Sequence, residues 1–181
     1  GVISLNDPNY DYLGNSLNYF LKSETNDKPD QGYENTIVSA GLGTSFKQYK
    51  DITASIGSTF SFDDLRTLDT ASESLKKQSG EFSELSLNYG CTFDKRNRAF
   101  MPTSGTISSF SQSLPVYADK SYISNTFSHS TYKSLSEDII GAGKLYVSTI
   151  NGVGADNDVR LSKRKNLSGK RLRGFEKGKV G

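Results

Sequence analysis

Tryptophan is absent from the 181 residues, and cysteine and histidine occur once each, as Cys91 and His129. One cysteine cannot form an internal disulfide or, alone, a metal cluster. One histidine leaves both a zinc site and a catalytic triad short of partners, so His129 reads as a polar strand residue. No nucleophile elbow occurs. Gly41-Leu42-Gly43 and Gly141-Ala142-Gly143 lack the rest of any nucleotide-binding motif and read as bends or close packing within strands. The acid pairs Asp63-Asp64 and Glu137-Asp138 are expected at strand ends, in solvated turns. The expectation is a protein that is not an enzyme, with no catalytic residue, no metal site and no cofactor. Long apolar runs are missing too. Nothing approaches the roughly 18–20 consecutive apolar residues of a spanning helix, hydrophobic residues make up 34% and mean hydropathy is −0.55. That excludes a helical membrane protein. It does not exclude strands that cross a membrane, because only one face of each meets lipid.

What the sequence has is Ser, Thr, Asn and Gly in abundance, with ten Tyr and ten Phe. The aromatics recur in periodic segments, which argues against disorder. In 82–94, Leu85, Leu87, Tyr89, Cys91 and Phe93 share one parity, and Ser86, Asn88, Gly90, Thr92 and Asp94 the other. A period of two makes a strand. Segment 49–62 alternates almost as well, with Ile52, Ala54, Ile56, Phe60 and Phe62 opposite Asp51, Thr53, Ser55, Gly57, Thr59 and Ser61. Segments 13–22 (Leu13, Leu17, Tyr19, Leu21) and 33–46 (Val38, Ala40, Leu42, Phe46) follow. Three later segments, 103–114, 122–133 and 138–150, alternate poorly but are rich in Ser, Thr, Tyr and Ile and bounded by turn residues.

Seven strands result. The connections at 47–48, 97–102, 116–119 and 135–137 are expected to be short, and those at 23–31 and 63–80 long, as at the two rims of an outer-membrane barrel. Open strand edges cannot face lipid, so the seven strands need further sequence to close. The fold class is all-β, a transmembrane antiparallel β-barrel of which this chain is part. Both ends read as cuts, since the chain opens without Met and stops in a basic stretch.

Two motifs carry a resemblance. The first runs from Tyr89-Gly90-Cys91-Thr92-Phe93-Asp94-Lys95-Arg96 to Phe100-Met101-Pro102-Thr103-Ser104-Gly105. An aromatic strand ends in Asp94 and Arg96. Pro102, which cannot donate to a ladder, is expected at the start of the next strand, and Gly105 permits a close approach or a bulge. The second motif is Leu172-Arg173-Gly174-Phe175. Their order, with three strands and a long loop between them, resembles the BamA family. Asp7-Pro8-Asn9-Tyr10 followed by Leu13-Gly14 is similar to that family's strand end and tight turn near its fourth and fifth strands.

The resemblance implies a segment of one outer-membrane barrel domain spanning residues 1–181, from about the fourth strand to the sixth extracellular loop of a sixteen-stranded barrel. It implies that 151–181 is that loop, folded into the lumen, with Arg173 meeting carboxylates on strands beyond Gly181. Periplasmic repeat domains would lie outside this segment. The implied function is assembly and insertion of β-barrel proteins into the outer membrane of a Gram-negative bacterium. The implied partners are unfolded outer-membrane proteins, periplasmic assembly lipoproteins reached through upstream domains, and outer-membrane lipid with lipopolysaccharide. Alternatives are a two-partner secretion or translocation-and-assembly transporter of the same superfamily, a plain porin or receptor barrel, and a soluble β-sandwich. The few core-sized aliphatics after Thr103 argue against the last.

Charge is unevenly spread. Residues 160–181 hold nine basic residues against one acid, net +8; the rest hold thirteen against nineteen, net −6. Nucleic acid would call for interleaved aromatics or a recognised module, and only Phe175 lies in this run, so nucleic acid is not expected as a partner. A lumen lined by Asp and Glu is the expected counterpart, with lipopolysaccharide phosphates as the alternative.

Overall fold

The computed structural model describes residues 1–29, 32–153, 159 and 163. Eight strands form one antiparallel meander in chain order: β1 (Val2–Asp7), β2 (Ser16–Lys28), β3 (Tyr33–Tyr49), β4 (Ile52–Thr67), β5 (Gly80–Asp94), β6 (Gly105–Ala118), β7 (Tyr122–Ser134) and β8 (Ile140–Gly152). The first is one more than the alternation count. Ile3 and Leu5 do alternate with Ser4 and Asn6, but six residues hold too few repeats to read alone. β2 to β8 each have 13 to 17 residues, more than the roughly 9–11 that a tilted transmembrane strand needs. No helix among the described residues is long enough to cross a membrane.

The register turns sequence parity into two faces. One face carries Tyr19–Leu42 and Ile56–Tyr89 as cross-strand partners, continued by Phe60–Leu85 and Phe110–Phe127–Val147. These large apolar side chains are exposed. The other face carries Ser39–Ser61, Ser61–Glu84 and Ser113–Ser124. Among the described residues, the buried hydrophobic ones are Leu65, Ala71 and Tyr122, whereas Asn35, Ser39, Ser61, Asp63, Glu84, Ser86, Ser124 and Ser130 are buried and polar. A water-soluble sheet has the reverse arrangement. An apolar exterior around a polar interior is the pattern of a barrel wall in a membrane.

The inner face is fitted together by small groups. Phe20 lies across Gly41, where an added Cβ would come within 2.4 Å of its ring. Hydroxyls pair across strands, Ser16 with Ser45 at 2.5 Å, Ser109 with Ser128 at 2.8 Å and Thr126 with Ser148 at 3.2 Å. The outer face of β5 to β8 carries a second ladder. Tyr89 Oη donates to Gln112, Gln112 Nε2 to Asn125, and Asn125 Nδ2 to Thr149 at 3.4 Å. Ser108 Oγ meets His129 Nδ1 at 2.8 Å beside it. These outward polar residues are why alternation fades after residue 103.

Several expected boundaries move. β2 continues to Lys28, so 23–31 is not a long loop, and β3 runs through Lys47 to Tyr49 with a register shift before the turn at 50–51. Asp63 and Asp64 are not in a turn, because β4 continues to Thr67; Asp63 is 2% exposed on the inner face. Pro102 does not open a strand: it lies in the turn, three residues before β6 begins at Gly105. Connection length does not sort by rim either. Residues 8–15, 50–51, 95–104 and 135–139 share one rim, and 29–32, 68–79 and 119–121 the other. Within 68–79, the four-residue helix α1 (Glu73–Lys76) forms, and Ala71 packs against Gly32, whose φ of +77° and 2.9 Å clearance admit no side chain.

Candidate functional site

Two places concentrate charged side chains in fixed geometry. The first is the turn between β5 and β6. Asp94 is the last residue of β5, and its carboxylate accepts from Arg96 Nε at 2.9 Å, Arg96 Nη2 at 2.7 Å and the Arg96 backbone N–H at 3.1 Å. That two-pronged grip, with Nη1 donating to the Ala99 carbonyl at 3.1 Å, sets the guanidinium as a brace across the turn. The hydrogen bond to Asp94 raises the Arg96 pKa above its ordinary value, against a smaller opposing effect of desolvation. Asn97 closes the other half. Its Oδ1 accepts from the Thr103 and Ser104 N–H groups at 3.2 and 3.3 Å, and its Nδ2 donates to Thr103 Oγ1 at 2.8 Å. Gly105 has φ +101°, and a Cβ there would lie 2.2 Å from the Lys95 carbonyl oxygen. The structure thus brings Asp94, Arg96, Thr103 and Gly105 into one braced turn. Pro102 lies within it, and Phe100 and Met101 project from it, 82% and 68% exposed.

The second place is on the inner wall. Glu84 in β5 is cross-strand partner to Ser61 in β4 and is 2% exposed. Tyr122, the first residue of β7, donates its hydroxyl to Glu84 Oε1 at 2.8 Å. Lys163 Nζ lies 3.5 Å from Glu84 Oε2, 3.3 Å from Ser61 Oγ and 5.8 Å from the centre of the Tyr122 ring. Buried Asp63 follows Ser61 on the same face of β4. An ammonium on a nearly dry carboxylate, with a hydroxyl and a ring face beside it, is a chemically complete cation seat. Sequence reading missed Glu84, although its parity with Ser86 and Asn88 placed it inward. It named Lys163 only as one of a basic run. Leu172, Arg173, Gly174 and Phe175 lie outside the described residues.

An inside-out meander carrying these features is matched by a family model over residues 2–181, that of the Omp85 superfamily domain. The chain belongs to the Omp85 superfamily. Among solved structures, this Omp85 chain is similar to BamA from Haemophilus ducreyi lacking POTRA domains 1–3. The TM-score is 0.81 at 21% identity, over 99% of this chain and 38% of that one. The likeness concerns the fold, and the chain spans well under half the length of that relative. No curated protein matches.

Proposed function

We propose that this Omp85 chain is the middle wall of a BamA-type barrel in the bacterial outer membrane, which assembles and inserts other β-barrel proteins without a catalytic site of its own. The observation that carries the reading is the apolar-out, polar-in meander, with the braced 95–104 turn three strands before the basic stretch of sequence at 160–181. That order fits the BamA branch of the superfamily, and the fold likeness supports it. Strand addition supplies the physics of the activity. An exposed barrel edge offers unpaired backbone N–H and C=O groups to an incoming strand. Unfolded outer-membrane proteins would be the substrates. Periplasmic lipoproteins would act through domains beyond this segment, and lipid and lipopolysaccharide would surround the wall.

The test is conditional depletion of the full-length protein in its own host. Loss of many folded barrel proteins from the outer membrane is the expected result, with rescue by the intact gene. Loss of a single secreted protein, with barrels unaffected, would refute the reading and make the chain part of a two-partner transporter.

A further inference from the structure

We propose that Lys163 is a positioning residue that anchors the segment following β8 to the inner wall, by seating its ammonium on Glu84, Ser61 and Tyr122. The inference starts from the wall. Glu84 is 2% exposed, and a buried carboxylate is retained only with a charge partner and hydrogen bonds. Tyr122 supplies a hydrogen bond to one oxygen, and Lys163 supplies a cation to the other. Three strands contribute: β4 through Ser61, β5 through Glu84 and β7 through Tyr122. A lysine in a solvated loop keeps its head in water, but the Lys163 side chain is 20% exposed.

The seat is also placed to catch this part of the chain. Tyr122 is cross-strand partner to Gly152, the last residue of β8, and the Val153 N–H donates to the Ser121 carbonyl at 2.9 Å. The chain therefore leaves the sheet beside the ring on which Lys163 later rests. Ten residues separate Lys163 from Arg173, and ten residues reach at most ~35 Å. The Arg173 Cα must lie within that distance of the Lys163 Cα, so the anchor bounds the reach of the residues that follow it. The anchor is independent of the assembly reading, since its test follows the position of the chain and not the activity.

The test uses the full-length protein, folded in membranes, with Cys91 and any other native cysteine replaced by serine. Ser162→Cys, next to Lys163, and Ser124→Cys on the inner face of β7 are joined by a bifunctional thiol reagent with a span of about 10 Å. The span matches neighbouring groups on one wall, given Cα spacing of about 3.8 Å per residue. Rapid intramolecular linkage is expected. Lys163→Met, which keeps the length and loses the charge, is expected to slow it about tenfold, the order of one charge-assisted hydrogen bond. The charge exchange Lys163→Glu with Glu84→Lys is expected to recover most of the rate. Absent linkage in the parent, or equal rates in the parent and Lys163→Met, would overturn the proposal. If the exchanged protein fails to fold, the parent and Lys163→Met comparison decides alone.

Discussion

Gly105 and Gly14 form a matched pair that tests the braced turn. Both have positive φ, +101° and +84°, so alanine at either costs backbone strain of about 1–3 kcal/mol. Their surroundings differ. Nothing lies within 4 Å of a Cβ at Gly14, whereas at Gly105 it would stand 2.2 Å from the Lys95 carbonyl oxygen and 2.8 Å from the Arg96 Cα. Both close atoms are backbone, so relief requires the start of β6 to move away from the end of β5. That movement strains the Lys95 N–H to Thr106 carbonyl bond at 2.8 Å and the Asn97 N–H to Ser104 carbonyl bond at 3.1 Å. Losing both adds about 1–3 kcal/mol. Gly105→Ala should therefore destabilise by roughly 2–6 kcal/mol, the strain and bond-loss terms together, and Gly14→Ala by about 1–3 kcal/mol, the strain term alone. Urea titration of the full-length barrel, followed by its heat-modifiable mobility on gels, measures both. Equal midpoints for the two variants would refute the steric part of the argument.

Arg96→Ala should cost about 1–2 kcal/mol in the same titration, discounted because the ion pair is partly exposed. Arg96→Lys should recover less than half of that, because a point charge cannot make the two-pronged contact. On the outer face, Gln112→Ala leaves the Tyr89 hydroxyl and Asn125 Oδ1 facing lipid without the partner that joined them, which should lower stability by about 1–3 kcal/mol. Gln112→Leu combined with Asn125→Leu and Tyr89→Phe should be close to neutral, and a combined loss exceeding the single one would contradict the ladder. Asp11 is pushed up by desolvation, but donation from Asn15 Nδ2 and from the Leu13 and Asn15 N–H groups outweighs it and holds the pKa below its ordinary value. Its contribution is therefore complete above the ordinary carboxylate range and is lost as pH falls through the lowered value. Hydrogen-exchange protection at Leu13 and Asn15 should fall on acidification, and Asp11→Asn should abolish that pH dependence.

Where local parity reports directly on the membrane, the sequence was readable. The 82–94 alternation gave both faces of β5, since Leu85, Leu87 and Tyr89 face out while Ser86 and Asn88 face in. It faded over β6 to β8 because Gln112, Asn125 and Thr149 satisfy one another across strands, and such pairing leaves no trace in any single strand. Polar composition misled at 23–28. There β2 continues as a paired strand, with Thr25 Oγ1 meeting Thr36 Oγ1 at 3.1 Å. The same bias put Asp63 in a solvated turn, although its parity with Ser61 turned it inward. The braced turn was legible as a cluster of residues, but Asn97's part in it was not, because a side chain that binds two backbone N–H groups is indistinguishable in sequence from any turn asparagine. The Lys163 seat joins Ser61 to a residue 102 positions later, and no periodicity reports such a contact.

The uneven charge follows from the inversion of the wall. Inner-face polar groups that are buried from water need specific partners. Hydroxyls and amides find theirs on the next strand, as Asn88 Nδ2 does on Thr59 Oγ1 at 2.9 Å. Glu24 finds a cation on its own strand, in Lys22, but the residues opposite Glu84 are Ser61 and Ala118, neither of them charged. Glu84 draws one from Lys163, beyond the end of the last strand. Among the described residues, this contact joins the acidic side of the sequence, net −6 over residues 1–159, to the basic one, net +8 over 160–181. Neutralising either side should loosen the other, and charge exchange between them should restore the contact where addition of charge to one side alone cannot.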